Sequence, residues 1–152
     1  MNLVIEPLHS ADLPSLLGLL ERSGLPLDGV SDHLATALVV RDHEEVVGST
    51  ILEVYGIAAL LRSVAVDAQL QRRGVGRQLV HAALDLAQQN GVEQVYLLTE
   101  TAPDFFAHIG FQPIERAAVS PHVQQSIEFT SACPISAQVM ELRLVSPLSE
   151  VA

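Results

Sequence analysis

Between residues 60 and 99 the chain changes its hydrophobic period twice, and this constrains the fold more than any other feature. Residues 60–66, ending Val64-Ala65-Val66, are rich in β-branched and aliphatic side chains, as a buried strand is. From Val75 the apolar positions Leu79, Val80, Ala83, Leu84 and Ala87 recur at helical spacing, which predicts a helix to about Asn90 closed by Gly91. Val95-Tyr96-Leu97-Leu98-Thr99 is apolar again. A strand, a crossover helix and a second strand can place the two strands parallel, so this half of the chain reads as α/β.

The flanking segments extend the pattern. Residues 3–8 read as a first strand, and Ser10-Ala11-Asp12-Leu13-Pro14 carries N-cap chemistry for a helix to about Arg22. Residues 24–31 read as loop, with a helical turn near 32–35. Residues 37–41 and 45–55 read as a hairpin through Asp42-His43-Glu44, with Gly56 interrupting the second strand. Residues 103–109 predict a short helix stopped by Gly110, residues 121–130 a polar helix, and residues 111–114 and 138–144 the last strands. At 152 residues one domain over 1–144 with one active site is expected, and 145–152 read as a frayed C-terminal tail.

Charge and composition narrow the partners. A formal net charge of −10 opposes nucleic acid and anionic membranes, whose binding needs Lys and Arg. The apolar runs are far shorter than the roughly 20 residues of a membrane span, and the first residues lack an export signal. With Cys133 as the single cysteine no internal disulfide forms, so a cytoplasmic location is expected. The histidines are scattered and a lone thiol is a poor soft-metal site, so no metal is expected. The chain has no lysine, yet Arg72, Arg73 and Arg77 fall within six residues.

Those arginines sit in Gln71-Arg72-Arg73-Gly74-Val75-Gly76-Arg77, a glycine-punctuated loop between the strand and the helix. Glycines admit positive φ and close backbone approach, and a helix start offers unpaired N–H groups and partial positive charge. A pyrophosphate suits such a cradle. Walker A is excluded because it needs a lysine, and the dinucleotide fingerprint because Leu79 stands where its third glycine belongs. An ordinary loop with solvated arginines is the other reading of these residues.

Gln71-x-x-Gly74-x-Gly76, after Val64-Ala65-Val66 and before a helix, resembles the acetyl-CoA motif of the GNAT acetyltransferases. Gly48 in the preceding strand and Phe105-Phe106-Ala107-His108-Ile109-Gly110-Phe111 follow the same order, so the resemblance covers nearly the whole chain. It implies a central mixed sheet of six to seven strands parted between strands four and five, with about four helices. It implies acetyl-CoA as the acyl donor, with residues 71–77 on the pyrophosphate, the edge at Val64 and Val66 on the pantetheine arm, and Phe105 nearby. It implies that the N–H of Val64 or Ala65 meets the developing oxyanion. Many members have a tyrosine where this chain has Phe106, which has no proton for the departing thiolate. Phe106 is then core or an acyl-pocket wall, and water takes the tyrosine's place.

Thr99-Glu100-Thr101-Ala102-Pro103-Asp104 is similar to the acetyltransferase domain of N-acetylglutamate synthases, although Cys133-Pro134-Ile135-Ser136 lacks the arginines those enzymes carry there. Leu60-Leu61-Arg62-Ser63 with Ser131-Ala132-Cys133-Pro134 resembles GNAT proteins encoded with arsenic-resistance genes. Both imply an amino-acid-like amine as acceptor, with Arg62, Ser63, Thr99 and Glu100 on the acceptor side. Glu53, on the neighbouring strand, is the candidate to receive the amine proton; the other reading is a structural ion pair between Glu53 and Arg62. A CoA-binding sensor without turnover and a protein or peptide acetyltransferase remain as alternatives. The family commonly forms homodimers.

Overall fold

The computed structural model describes residues 3–144. Seven strands form one mixed sheet in the order β1-β2-β3-β4-β5-β7-β6: β1 (Ile5–Pro7), β2 (Ala37–Asp42), β3 (Glu45–Tyr55), β4 (Ala58–Val66), β5 (Gln94–Thr99), β6 (Gln112–Pro113) and β7 (Gln138–Arg143). Among the described residues there are three α-helices, α1 (Leu13–Arg22), α2 (Val75–Gln89) and α3 (Pro103–Ile109), and a π-helical turn at Glu128–Ala132. The expected parallel pairing joins β4 to β5 through Ala58↔Gln94, Ala59↔Val95 and Leu60↔Tyr96. This ladder ends after three pairs although β4 runs on to Val66 and β5 to Thr99.

The chain packs as two compact units, Met1–Leu52 with Leu61–Ala83, and Glu53–Leu60 with Leu84–Ala152; β3, β4 and α2 each contribute to both. In the first unit, strand alternation feeds two cores. Leu16, Leu19 and Leu20 of α1 pack with Val39, Ile51 and Ala65, while Leu79 and Val75 of α2 pack with Val40, Val47 and Val66. Val39 and Val40 take opposite sides because successive side chains of a strand do. Gly48 makes the second core close: an added Cβ there would stand 3.2 Å from Leu79 Cδ1 and 3.4 Å from Val40 Cβ.

One polar node ties β1, the turn before α1 and β2 together. Arg41 Nε donates to Asp12 Oδ1 and Oδ2 at 3.0 and 3.1 Å, its Nη1 lies 2.7 Å from Glu6 Oε1, and its Nη2 donates to the Pro7 carbonyl at 3.2 Å. The His9 N–H adds a bond to Asp12 at 2.8 Å. Arg41 thereby holds the Asp12 carboxyl below the usual carboxylate range, and Asp12 in turn raises Arg41.

In the second unit β5 pairs with β7 along six antiparallel positions, and β6 flanks β7. A core of Ala58, Leu60, Tyr96, Val119, Val123 and Val139 forms beside that pairing. Helix α3 ends where Gly110 adopts φ 129° and the Phe111 N–H returns to the Phe106 carbonyl at 3.1 Å.

Four expectations need correction. The helix expected over residues 121–130 does not form: a 3₁₀ turn at Val123–Gln125 gives way to the π-helical turn. Ser126 causes the break, since its backbone is extended and its Oγ accepts the Glu128 N–H at 3.2 Å, starting the next turn afresh. The first strand is only Ile5–Pro7, the fourth begins at Ala58 rather than Leu60, and the sixth is two residues long. The tail expected at 145–152 lies outside the described residues.

Because the folded pKa of Asp12 lies below its unfolded value, the carboxylate contributes stability that is full above about pH 4 and lost as pH falls through the folded pKa. Denaturant titrations should show Asp12→Asn less stable than wild type by on the order of 3 kcal/mol at pH 7, because Arg41 loses its buried partner. The gap should narrow below pH 4. A gap independent of pH would contradict the Asp12–Arg41 assignment.

Candidate active site

The strand that leads to the cradle is not regular. Ser63, inside β4, has φ 56°, a left-handed conformation costing a non-glycine residue about 1 kcal/mol. Its environment holds it there. The Ser63 carbonyl accepts Ser49 Oγ–H at 2.7 Å, and its own Oγ accepts Arg62 Nε–H at 3.2 Å. A left-handed residue within a strand turns the adjoining peptide planes out of the regular pleat.

Beyond Val66 the loop is built from short local bonds. The Asp67 N–H binds the Val47 carbonyl at 2.8 Å, the Gln69 N–H binds Asp67 Oδ1 at 3.2 Å, and the Leu70 N–H closes a 3₁₀ turn on the Asp67 carbonyl at 2.8 Å. Gln71 Nε2 donates back to the Val66 carbonyl at 3.2 Å. Arg72 and Gly74 then take φ 69° and 76°, the left-handed residues from which backbone anion nests are made. The Gln78 N–H is the first to close onto Gly74, at 3.0 Å, so those of Val75, Gly76 and Arg77 lie ahead of the first closed turn.

The arginines divide by role. Arg41 binds Asp12, Arg22 lies 3.6 Å from Asp67, Arg143 binds Glu141, Arg116 stacks over Phe129 and Arg62 Nη2 donates to the Pro26 carbonyl. Among the described residues Arg72, Arg73 and Arg77 make no ion pair, and all three are exposed. Three uncommitted guanidinium groups around a nest and the positive end of a 15-residue helix can hold a multiply charged anion.

One continuous run of the first unit thus brings together Arg62, Ser63, Val64, Ala65, Val66, Gln71, Arg72, Arg73, Gly74, Val75, Gly76 and Arg77. Arg62 and Ser63 are buried, at 3% and 8% exposure. Glu53, Thr99, Glu100 and Phe105 belong to the second unit. Glu53 is fully buried and accepts the Tyr55 hydroxyl at 2.5 Å. Tyr55 also lines a cleft of about 390 Å³ with Ser120 and His122. Thr99 Oγ1 accepts the Ala102 N–H at 3.0 Å and so shapes the start of α3, while Glu100 is exposed.

Phe106 is 8% exposed and meets Phe105 and Phe111 edge to face, at centroid distances of 5.0 and 5.9 Å. That is core packing. Cys133 Sγ donates to the buried carboxylate of Glu128 at 3.1 Å. Sequence reasoning missed Ser49 and Tyr55. The available signal for Ser49 was a hydroxyl inside an almost wholly buried strand.

A family profile described as an acetyltransferase (GNAT) domain matches residues 33–113, more than half of the chain, and the chain belongs to that family. A Chlorobaculum tepidum protein described as an uncharacterized N-acetyltransferase is 29% identical over 91 residues, 59% of this chain and 58% of that protein. N-acetylglutamate synthase from Neisseria gonorrhoeae, complexed with coenzyme A and N-acetyl-glutamate, superposes with a TM-score of 0.81 at 20% identity. That match covers 95% of this chain and 36% of the synthase. The Mycobacterium tuberculosis protein Rv2747, in complex with CoA and a second ligand, superposes with a TM-score of 0.79 at 23% identity over 93% of this chain and 99% of its own. At these identities the structures show a shared fold.

If Phe106 is core, Phe106→Ala should lower stability by roughly 3–5 kcal/mol in urea titrations. Phe106→Leu should recover much of the loss. Wild-type stability in Phe106→Ala would place the ring outside the core.

Proposed function

We propose that this chain is an acetyl-CoA-dependent N-acetyltransferase acting on the amine of a small molecule, an amino acid or an amino-acid-like toxicant such as an arsenical analogue. The observation that carries this reading is the left-handed Ser63 in β4 followed, through a 3₁₀ turn, by a nest and helix start that bear three exposed arginines with no ion pair among the described residues. Residues 1–144 are read as one catalytic domain, since β3, β4 and α2 each contribute to both compact units. The short apolar runs and the single cysteine support a cytoplasmic enzyme.

In this reading residues 71–77 hold the pyrophosphate of acetyl-CoA, and the edge at Val64 and Val66 lies along its pantetheine arm near Phe105. The acceptor nitrogen bonds to the thioester carbonyl carbon, and the carbon–sulfur bond breaks. The N–H of Val64 or Ala65 donates to the oxygen as it becomes negative. Glu53, directly or through water, receives the proton the amine gives up. Phe106 has no proton to give, so the thiolate takes one from water. Arg62 and Ser63, with Thr99 and Glu100, form the acceptor side, and Arg62 binds the acceptor's carboxylate or equivalent oxyanion. One structural neighbour supports the acceptor class, since N-acetylglutamate synthase is complexed with coenzyme A and N-acetyl-glutamate.

A second reading, a CoA-binding sensor without turnover, draws on Phe106. The two separate in one assay: release of CoA from acetyl-CoA across free amino acids, phosphinic and arsenical amino-acid analogues, polyamines and basic peptides. Turnover should be strongest on an amino acid or analogue. Acetyl-CoA binding with no CoA release would establish the sensor, and preference for basic peptides a peptide acetyltransferase.

With the best acceptor in hand, Arg62→Ala should raise the acceptor KM by about tenfold or more and leave the acetyl-CoA KM within about twofold. Equal effects on both constants would overturn Arg62 as an acceptor ligand.

A further inference from the structure

The left-handed turn at Ser63 is unfavourable for a serine and is not supplied by its own sequence, because no glycine or asparagine stands there. Something outside β4 must impose it. Ser49, 14 positions earlier on β3, is fully buried, and its hydroxyl donates to the Ser63 carbonyl at 2.7 Å. A bulged strand residue leaves a carbonyl outside the ladder, and a buried carbonyl left without a donor is costly. Ser49 supplies that donor from a side chain, so the kink is compatible with burial.

We propose that Ser49 is a positioning residue for catalysis: its hydroxyl fixes the kink at Ser63 and thereby aims the N–H groups of Val64 and Ala65. This rests on the reading of those amides as the oxyanion donors. Ser49 is fully buried. Its effect passes through the backbone, so removing it alters the orientation of the donors, while the loop before the nest at Arg72 and Gly74, six and eight residues beyond Val66, keeps the bonds that Leu70 and Gln71 donate to the carbonyls of Asp67, Ala68 and Val66.

Thr50 supplies the matched control. It is the next residue on β3, equally buried, and its Oγ1 has no hydrogen-bond partner among the described residues. Thr50→Val removes a buried hydroxyl from the same strand without removing a bond. A general effect of losing a hydroxyl there appears in both variants, whereas a positioning effect appears only in Ser49→Ala.

The experiment compares wild type, Ser49→Ala, Ser49→Thr and Thr50→Val by two readouts. The first needs no acceptor: amide and carbon NMR shifts and the HN–Hα coupling of Ser63, with the shift differences at Val64 and Ala65 between the acetyl-CoA and CoA complexes. Ser49→Ala should lose the left-handed signature at Ser63 and flatten the acetyl-dependent differences. Ser49→Thr, which keeps a donor, should restore both, and Thr50→Val should match wild type. The second is kinetic: Ser49→Ala should lower kcat by about tenfold or more with the acetyl-CoA KM within about twofold, a smaller loss than the 10²–10³ seen on deleting an oxyanion donor.

A Ser49→Ala protein that keeps the left-handed Ser63 and the wild-type acetyl-dependent shifts would overturn the proposal while leaving the acetyltransferase reading intact. A wild-type protein whose Val64 and Ala65 amides do not distinguish acetyl-CoA from CoA would overturn both.

Discussion

The close seating of α2 on β3 is the contact on which the first unit depends. Gly48 has no side chain where Leu79 descends, and Val40, Val47 and Val66 complete the apolar floor beneath the helix. Dispersion and burial fall off within fractions of an ångström, so a helix held at this distance is positioned far more tightly than one resting on larger side chains. The start of α2 inherits that precision. Its unpaired N–H groups, the preceding nest and the exposed arginines are arranged around a point set by packing.

The strain at Ser63 has the same logic on the other side of the loop. A strand in its lowest-energy form commits alternate N–H groups to its neighbour, which suits a sheet and not a site where charge develops. β4 departs from that form at one residue, and buried hydrogen bonds from Ser49 and Arg62 hold the departure. Because these donors are shielded from water, competition from solvent is weak and the geometry persists without ligand. Within β4 the left-handed conformation is confined to Ser63, whereas β5 and β7 pair regularly over six consecutive positions.

Electrostatics separates the paired arginines from the unpaired ones. A chain of net charge −10 has acidic partners to spare, and Arg41, Arg22 and Arg143 take them. Among the described residues Arg72, Arg73 and Arg77 take none, and they stand together at the helix start. On an acidic surface such a local positive region draws a polyanionic ligand to one place.

The sequence by itself determined β3, α2 and α3 almost to the residue, because period and punctuation agree there: Glu45–Tyr55 ends before Gly56, Val75–Gln89 before Gly91, and Pro103–Ile109 lies between a proline and Gly110. It also marked the cradle, since left-handed turns, helix starts and clustered arginines are local properties of a few consecutive residues. It failed over residues 121–130, where the Ser126 side chain competed with the helix for a backbone N–H. Only the tertiary structure decided that Arg62 and Glu53 are buried, that Phe106 packs against Phe111, and that Ser49 holds Ser63. Each depends on groups brought together by folding, and on hydrogen bonds whose strength comes from the exclusion of water, neither of which is written in the spacing of residues along one strand.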